Sequence, residues 1–188
     1  AYSDSKYQLE KYLIELSDQK KIRSIILRYF NVAGADEKKR SGLTTNPDNL
    51  IKAVCETAMG KRNLLTINGN DYDTKDGTTI RDFIHVNDLA DMHILAAKKI
   101  IDHDESGIYN CGYGEGFSIK DVVNEMNSLL KENLNVRFGP KRDGDAAYSV
   151  ADNSKFVKKF GWEPKYNNLN YILKTALEWE KKMIKNDI

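Results

Sequence analysis

The chain has 188 residues, enough for one substantial core or for one and a half domains. Its 29 basic and 28 acidic residues nearly cancel, so charge gives no case for a nucleic-acid or membrane-surface partner. No apolar run approaches the roughly 18–20 residues needed to span a bilayer.

The first element carries the first chemical signal. Tyr2 and Lys6 lie four residues apart, a spacing that shares one helical face, at the mouth of a helix predicted over 5–18 from Leu9, Tyr12, Leu13 and Leu16. An ammonium beside a phenol stabilises the phenolate and makes a general base of it. Tyr7 and Lys11 repeat the spacing, so spacing alone leaves surface amphipathicity open. Ser3 and Ser5 leave space around the first phenol. A catalytic base at residue 2 implies missing upstream sequence, and Ala1 reads as a truncation point.

Residues 22–30 are β-branched and apolar, as suits a buried parallel strand. Residues 31–35 read as a small-residue turn at its carboxyl end, where open α/β sheets bind ligands. The charged stretch 36–47 reads as a mobile surface loop. Leu50, Ile51, Val54, Cys55, Ala58 and Met59 mark a helix that Gly60 closes. A strand over 64–67 and a polar loop to Gly77 follow, then alternation over 80–86 that predicts a single strand. Asp88 starts a helix running to about 101, and 108–111 is a strand ending in the glycine-rich run 112–116. Ser118 caps a helix built on Ile119, Val122, Val123, Met126, Leu129 and Leu130. Val136 and Phe138 suggest a strand, a short helix ends at Gly161, and the last helix carries Leu169, Ile172, Leu173, Ala176, Leu177 and Met183. Helices and strands alternate, so the class is α/β. Cys55 and Cys111 read as reduced, buried thiols of a cytoplasmic protein, and His85, His93 and His103 lack ligand spacing, so no metal site is expected.

Three stretches bring in a resemblance. Residues 27–35 (LRYFNVAGA) resemble a signature of the extended short-chain dehydrogenase/reductase superfamily. Residues 69–90 (GNDYDTKDGTTIRDFIHVNDLA) are similar to the UDP-glucose (UDP-galactose) 4-epimerase family, as are Arg142-Asp143-Gly144-Asp145 and Ala151-Asp152. That resemblance implies the C-terminal part of a Rossmann-type parallel sheet plus a smaller α/β substrate-binding domain. Residues 1–35 and about 84–112 would belong to the nucleotide-binding part, and about 36–83 and 113–188 to the substrate part. The family's glycine-rich pyrophosphate fingerprint does not occur here, since 112–116 has the wrong spacing, and neither does the Ser/Thr that assists the tyrosine. These 188 residues alone are therefore expected to be inactive, while the full-length parent would be a cytoplasmic, homodimeric enzyme of galactose metabolism.

The resemblance also implies residue roles. Tyr2 would move the proton of the sugar 4-hydroxyl, and Lys6 would hold the nicotinamide ribose of a tightly bound NAD. Tyr29, with Phe30, would line the nicotinamide side. Asn31 would bond the sugar or phosphate, unless it is only a turn residue. Asn49 and the adjoining Leu50 would face the pyrophosphate, although a helix N-cap would look the same at Asn49. Arg81 and Arg142 would bind the UDP diphosphate through guanidinium forks, with an Arg81–Asp82 ion pair as the structural alternative. Asp145 would accept from the uridine ribose. Thr66 to Asn68 would contact uracil by backbone hydrogen bonds, because Asn68 stands where many relatives carry an aromatic. Ser149 falls where a bulky tyrosine restricts some relatives to glucose and galactose, so the parent is expected to take UDP-GlcNAc and UDP-GalNAc as well. Two rivals share parts of this pattern: another nucleotide-sugar enzyme (a 4,6-dehydratase or decarboxylase), and a non-catalytic nucleotide-sugar-binding domain.

Overall fold

The computed structural model describes residues 2–45, 49–103 and 105–185, with backbone alone at 2, 3 and 103. The sequence-expected point Ala1 and the end of the 36–47 loop lie outside them.

Helix α1 (Tyr2–Asp18) turns Leu13, Ile14 and Ser17 inward, half-buried. The expected apolar stripe is only partly covered: Leu13 and Leu16 are half-buried, whereas Leu9 is 51% and Tyr12 58% exposed. Glu10 anchors the helix by an ion pair with Arg28, and the hydroxyls of Ser17 and Ser24 meet at 2.8 Å.

Strand β1 (Ile25–Tyr29) runs parallel to β6 (Gly107–Cys111). It is half-buried rather than buried, because Arg28 and Tyr29 are exposed at its end. The expected turn at 31–35 is a correction of larger consequence. The chain continues past Phe30 as strand β2 (Asn31–Ala33), parallel to β5 (Phe83–His85). Only then does it turn, at Gly34, whose φ is +78°. A Cβ there would lie 2.5 Å from the His85 ring, so glycine is required for sterics as well as conformation.

The strand expected over 80–86 is likewise divided. Strand β4 (Ile80–Arg81) pairs antiparallel with β7 (Phe117–Ser118) and parallel with β9 (Tyr148–Ser149), whereas β5 belongs beside β2. Asp82 sits at the switch. Its fully buried carboxylate accepts the backbone N–H groups of Tyr113 (3.0 Å), Gly114 (2.9 Å) and Ala151 (3.2 Å). Those three bonds hold the chain where it leaves one sheet for the next.

Strand β3 (Leu65–Asn68) runs parallel to β8 (Val136–Gly139). Helices α2 (Leu50–Ala58), α4 (Ile119–Leu130) and α6 (Leu169–Lys185) pack into one core with β3, centred on Val54, Met126, Ile172 and Leu173. A second core joins α3 (Val86–His103) and β6 to α5 (Ser154–Phe160) through Met92, Tyr109, Cys111, Phe156 and Trp162. Ser118 and Asp121 form a reciprocal capping box at the start of α4, which sets its first turn.

The described part of the charged loop after Gly34 is fastened to α6. Lys39 pairs with Glu178 at 2.8 Å, Tyr171 donates to Glu37 at 3.0 Å, and Trp179 donates to the Leu43 carbonyl at 3.1 Å. All three partners lie on α6, so its charges serve to fasten the loop. Cys55 and Cys111 are buried and unbridged, and burial pushes both thiols up to about 12. Among the described residues no helix is long and apolar enough to cross a membrane.

Candidate functional site

The main cleft, about 540 Å³, opens between β3, β4 and the N-terminus of α2. Each wall has a local cause. Asn49 caps α2: its side-chain oxygen accepts from the Lys52 N–H at 3.1 Å. The cap starts the helix at the cleft, so Asn49, Leu50 and Ile51 line it with a helix N-terminus, the end that favours anions. On β3 the pleat sends Leu65 and Ile67 into the core and leaves Thr66 and Asn68 half-buried.

The lining is also cationic. Arg81, on β4, forms an ion pair with Asp145 and donates to the Ile80 carbonyl at 2.8 Å. Its partner is thus Asp145 across the cleft wall; the Arg81–Asp82 pair is not made, because the Asp82 carboxylate is taken by backbone amides. With its amide oriented to satisfy the network, Asn68 accepts from Arg142 Nε at 2.8 Å and Nη2 at 3.2 Å. Asn31 lines the same cleft from β2 and donates to the Asp82 carbonyl at 3.3 Å.

Asn31, Asn49, Leu50, Thr66, Asn68, Arg81, Arg142 and Asp145 therefore share one cavity. The structure adds Arg62, which ion-pairs with Glu56 at 3.0 Å and which sequence reasoning passed over. The only sequence signal was a basic pair, Lys61-Arg62, after a helix end. The lining holds three guanidiniums and one carboxylate, an excess of positive charge suited to a multiply charged anion.

Other sequence candidates lie elsewhere. The side chain of Tyr2 is outside the described residues; the backbone puts Tyr2 and Lys6 one turn apart on α1. Lys6 is exposed, and Tyr29, 55% exposed, tilts its ring toward His93 at 6.2 Å. Neither lines the cleft. Ser149 is outside its lining too, but it stands opposite Arg81 in register, so the two share a face of the sheet. Tyr148 beside it points to the other face and is exposed.

The fit to a dinucleotide can be tested on the glycine run. Backbone amides of Tyr113 and Gly114 form an anion nest, yet the Asp82 carboxylate fills it. A Cβ at Gly112 would meet that carboxylate at 2.5 Å. The described residues thus offer an ammonium and an aromatic ring, Lys6 and Tyr29, and no open cradle here for a cofactor's diphosphate.

A profile of the NAD dependent epimerase/dehydratase family matches residues 1–112. The chain is 42% identical, over 97% of its length, to the UDP-glucose 4-epimerase of Azospirillum brasilense, of which it covers 53%. Its fold is similar to the UDP-glucose 4-epimerase of Stenotrophomonas maltophila, crystallised with bound NAD and formylated UDP-arabinopyranose: TM-score 0.94, 31% identity, 98% of this chain and 56% of that one. It is also similar to the UDP-Glc/GlcNAc 4-epimerase of Campylobacter jejuni, with TM-score 0.77, 41% identity, and coverage of 96% and 55%. The chain spans about half the length of the relatives it matches.

Proposed function

The chain belongs to the NAD dependent epimerase/dehydratase family, and on that footing we propose that its parent protein is a UDP-sugar 4-epimerase interconverting UDP-galactose and UDP-glucose. One observation carries the reading: Arg81 and Arg142 line the same cleft as the N-terminus of α2. Guanidinium forks and helix-terminal amides are both complementary to a diphosphate.

In this reading the diphosphate lies between those groups. Arg81 exchanges part of its bond with Asp145 for phosphate oxygens, which releases the Asp145 carboxylate to accept from ribose hydroxyls. The β3 edge from Thr66 to Asn68 meets the base, and Asn31 meets the sugar or phosphate. Tyr2 takes the proton of the sugar 4-hydroxyl, and Lys6 favours its phenolate form. NAD, when bound, supplies the acceptor and donor of the C4 hydride. Lys6 and Tyr29 would meet its nicotinamide end; its diphosphate would need residues beyond those described. The parent would be a cytoplasmic homodimer, a reading supported by two buried unbridged thiols and the exposed Leu9 and Tyr12 of α1. Residues 1–35 and about 84–112 would serve the nucleotide cofactor, the remainder the substrate.

Ser149 extends the reading to substrate breadth. It shares the sheet face of Arg81, and in this reading a serine there would leave the volume of an aromatic ring free for a substituent on the sugar. We expect the parent to turn over UDP-GlcNAc and UDP-GalNAc, and Ser149→Tyr to abolish that activity while sparing UDP-galactose. Parallel assays of both substrate pairs check this, and a variant retaining both activities places the gate elsewhere. Calorimetric titration of the full-length protein with UDP tests the cleft itself: saturable binding that UDP-glucose competes away supports it, and absence of binding refutes it.

A further inference from the structure

Glu180 is a charge that the proposed reaction does not use. It lies on α6, 1% exposed, and accepts from Lys52 Nζ at 2.5 Å and Lys61 Nζ at 3.0 Å. Lys52 is itself buried, in the first turn of α2, while Lys61 follows the helix just beyond its C-terminal turn. One carboxylate thus grips α2 near both ends. Sliding or rotating the helix against α6 would lengthen one of the two bonds.

Stability alone does not explain this arrangement, because apolar side chains of like volume replace buried ion pairs at little or no cost. What the pair can supply is position. The turn that Lys52 anchors carries Asn49, Leu50 and Ile51, which line the cleft with a helix N-terminus. A small pocket of about 30 Å³ borders Lys52, Cys55, Trp179 and Glu180, so fewer side-chain contacts oppose a shift on this side of α2 than on its core side.

We propose that Glu180 is a positioning residue that, by clasping Lys52 and Lys61, sets the N-terminus of α2 at the distance from Arg81 and Arg142 that a nucleoside diphosphate requires. This role rests on the cleft reading given above. It lies outside the cleft lining, on a helix that offers the substrate no atom.

Calorimetric titration of the full-length protein with UDP is the test, run beside thermal melting and steady-state kinetics. Glu180→Gln is expected to weaken UDP binding about tenfold and raise KM for UDP-galactose in parallel, with kcat within about twofold of wild type. Because loss of one partner can also destabilise the fold, the apolar pair Lys52→Met with Glu180→Leu provides the second variant. It is expected to recover the wild-type melting temperature and still bind UDP several-fold more weakly. A double variant that regains both melting temperature and UDP affinity would overturn the proposal, as would a folded Glu180→Gln protein with unchanged affinity. Wild-type protein that fails to bind UDP would instead sink the cleft reading, and this role with it.

Discussion

Arg81 and Arg142 are held ready by neutral or acidic partners, Asp145 and Asn68, that keep their forks in place. Charge-assisted hydrogen bonds are worth roughly 1.5–3 kcal/mol each. Arg81→Ala and Arg142→Ala are therefore expected to weaken UDP and UDP-glucose binding alike, about tenfold to a hundredfold each, in titrations of the full-length protein. Unchanged affinity in a folded variant would remove that arginine from the site. His85 shows how differently a buried titratable group can be used. Its Nδ1 accepts the Asn87 N–H at 3.1 Å, so Nε2 carries the proton and reaches Thr175 Oγ1 at 3.2 Å. The ring also stacks on Tyr166 with centroids 4.8 Å apart. Burial lowers its pKa below the ordinary 6.5, against the opposing pull of Asp88, Glu37 and Asp36. With the folded-state pKa depressed, the unfolded chain binds the proton first, so stability falls as pH drops from about 6.5 toward the folded value. His85→Gln is expected to flatten the melting temperature against pH over that window. An unchanged slope would assign the acid sensitivity to the carboxylates.

Among the elements, short strands escaped the sequence and helices did not. Helix α4 was legible to the residue, since Ser118 and the apolar spacing from Ile119 to Leu130 give the same start. The sheet switch at Asp82 was not legible, because alternation over 80–86 is the same whether one strand or two carries it. Strands β7 and β9 span two residues each, too short for any period to appear. The loop after Gly34 read as mobile from its charges, since its anchors on α6 lie more than a hundred positions away. These devices differ in weight. Ser118→Ala removes one cap and is expected to cost about 1–2 kcal/mol. Asp82→Ala removes the acceptor of three backbone amides at a fully buried carboxylate and is expected to cost more than about 3 kcal/mol. Urea unfolding of the two variants checks the order; the reverse order would mean that Asp82 does not hold the switch.

At the scale of the whole molecule, the cleft is assembled from β2, β3, β4, the start of α2 and the 142–145 turn, elements spread over more than a hundred residues. Much of its lining was nonetheless legible, because the resemblance of 69–90 and 142–145 to a nucleotide-sugar family names residues that physics alone would have left ambiguous. Asn49 shows the limit: it caps a helix and lines the cleft at once, two roles with the same sequence signature. Arg62 was missed because nothing local separates a cleft-lining arginine from a surface one. Lys6 and Tyr29, by contrast, stand apart from the cleft on α1 and at the end of β1. The geometry thus supports the substrate half of the proposed chemistry more fully than the cofactor half. The most direct test of an epimerase is the stereochemistry at C4. Full-length protein is to be incubated with UDP-galactose and NAD and the products followed by proton NMR. Conversion to UDP-glucose, with the same final mixture reached from UDP-glucose, is the predicted result. A 4-keto-6-deoxy product, or no turnover by folded protein that binds UDP, would contradict it.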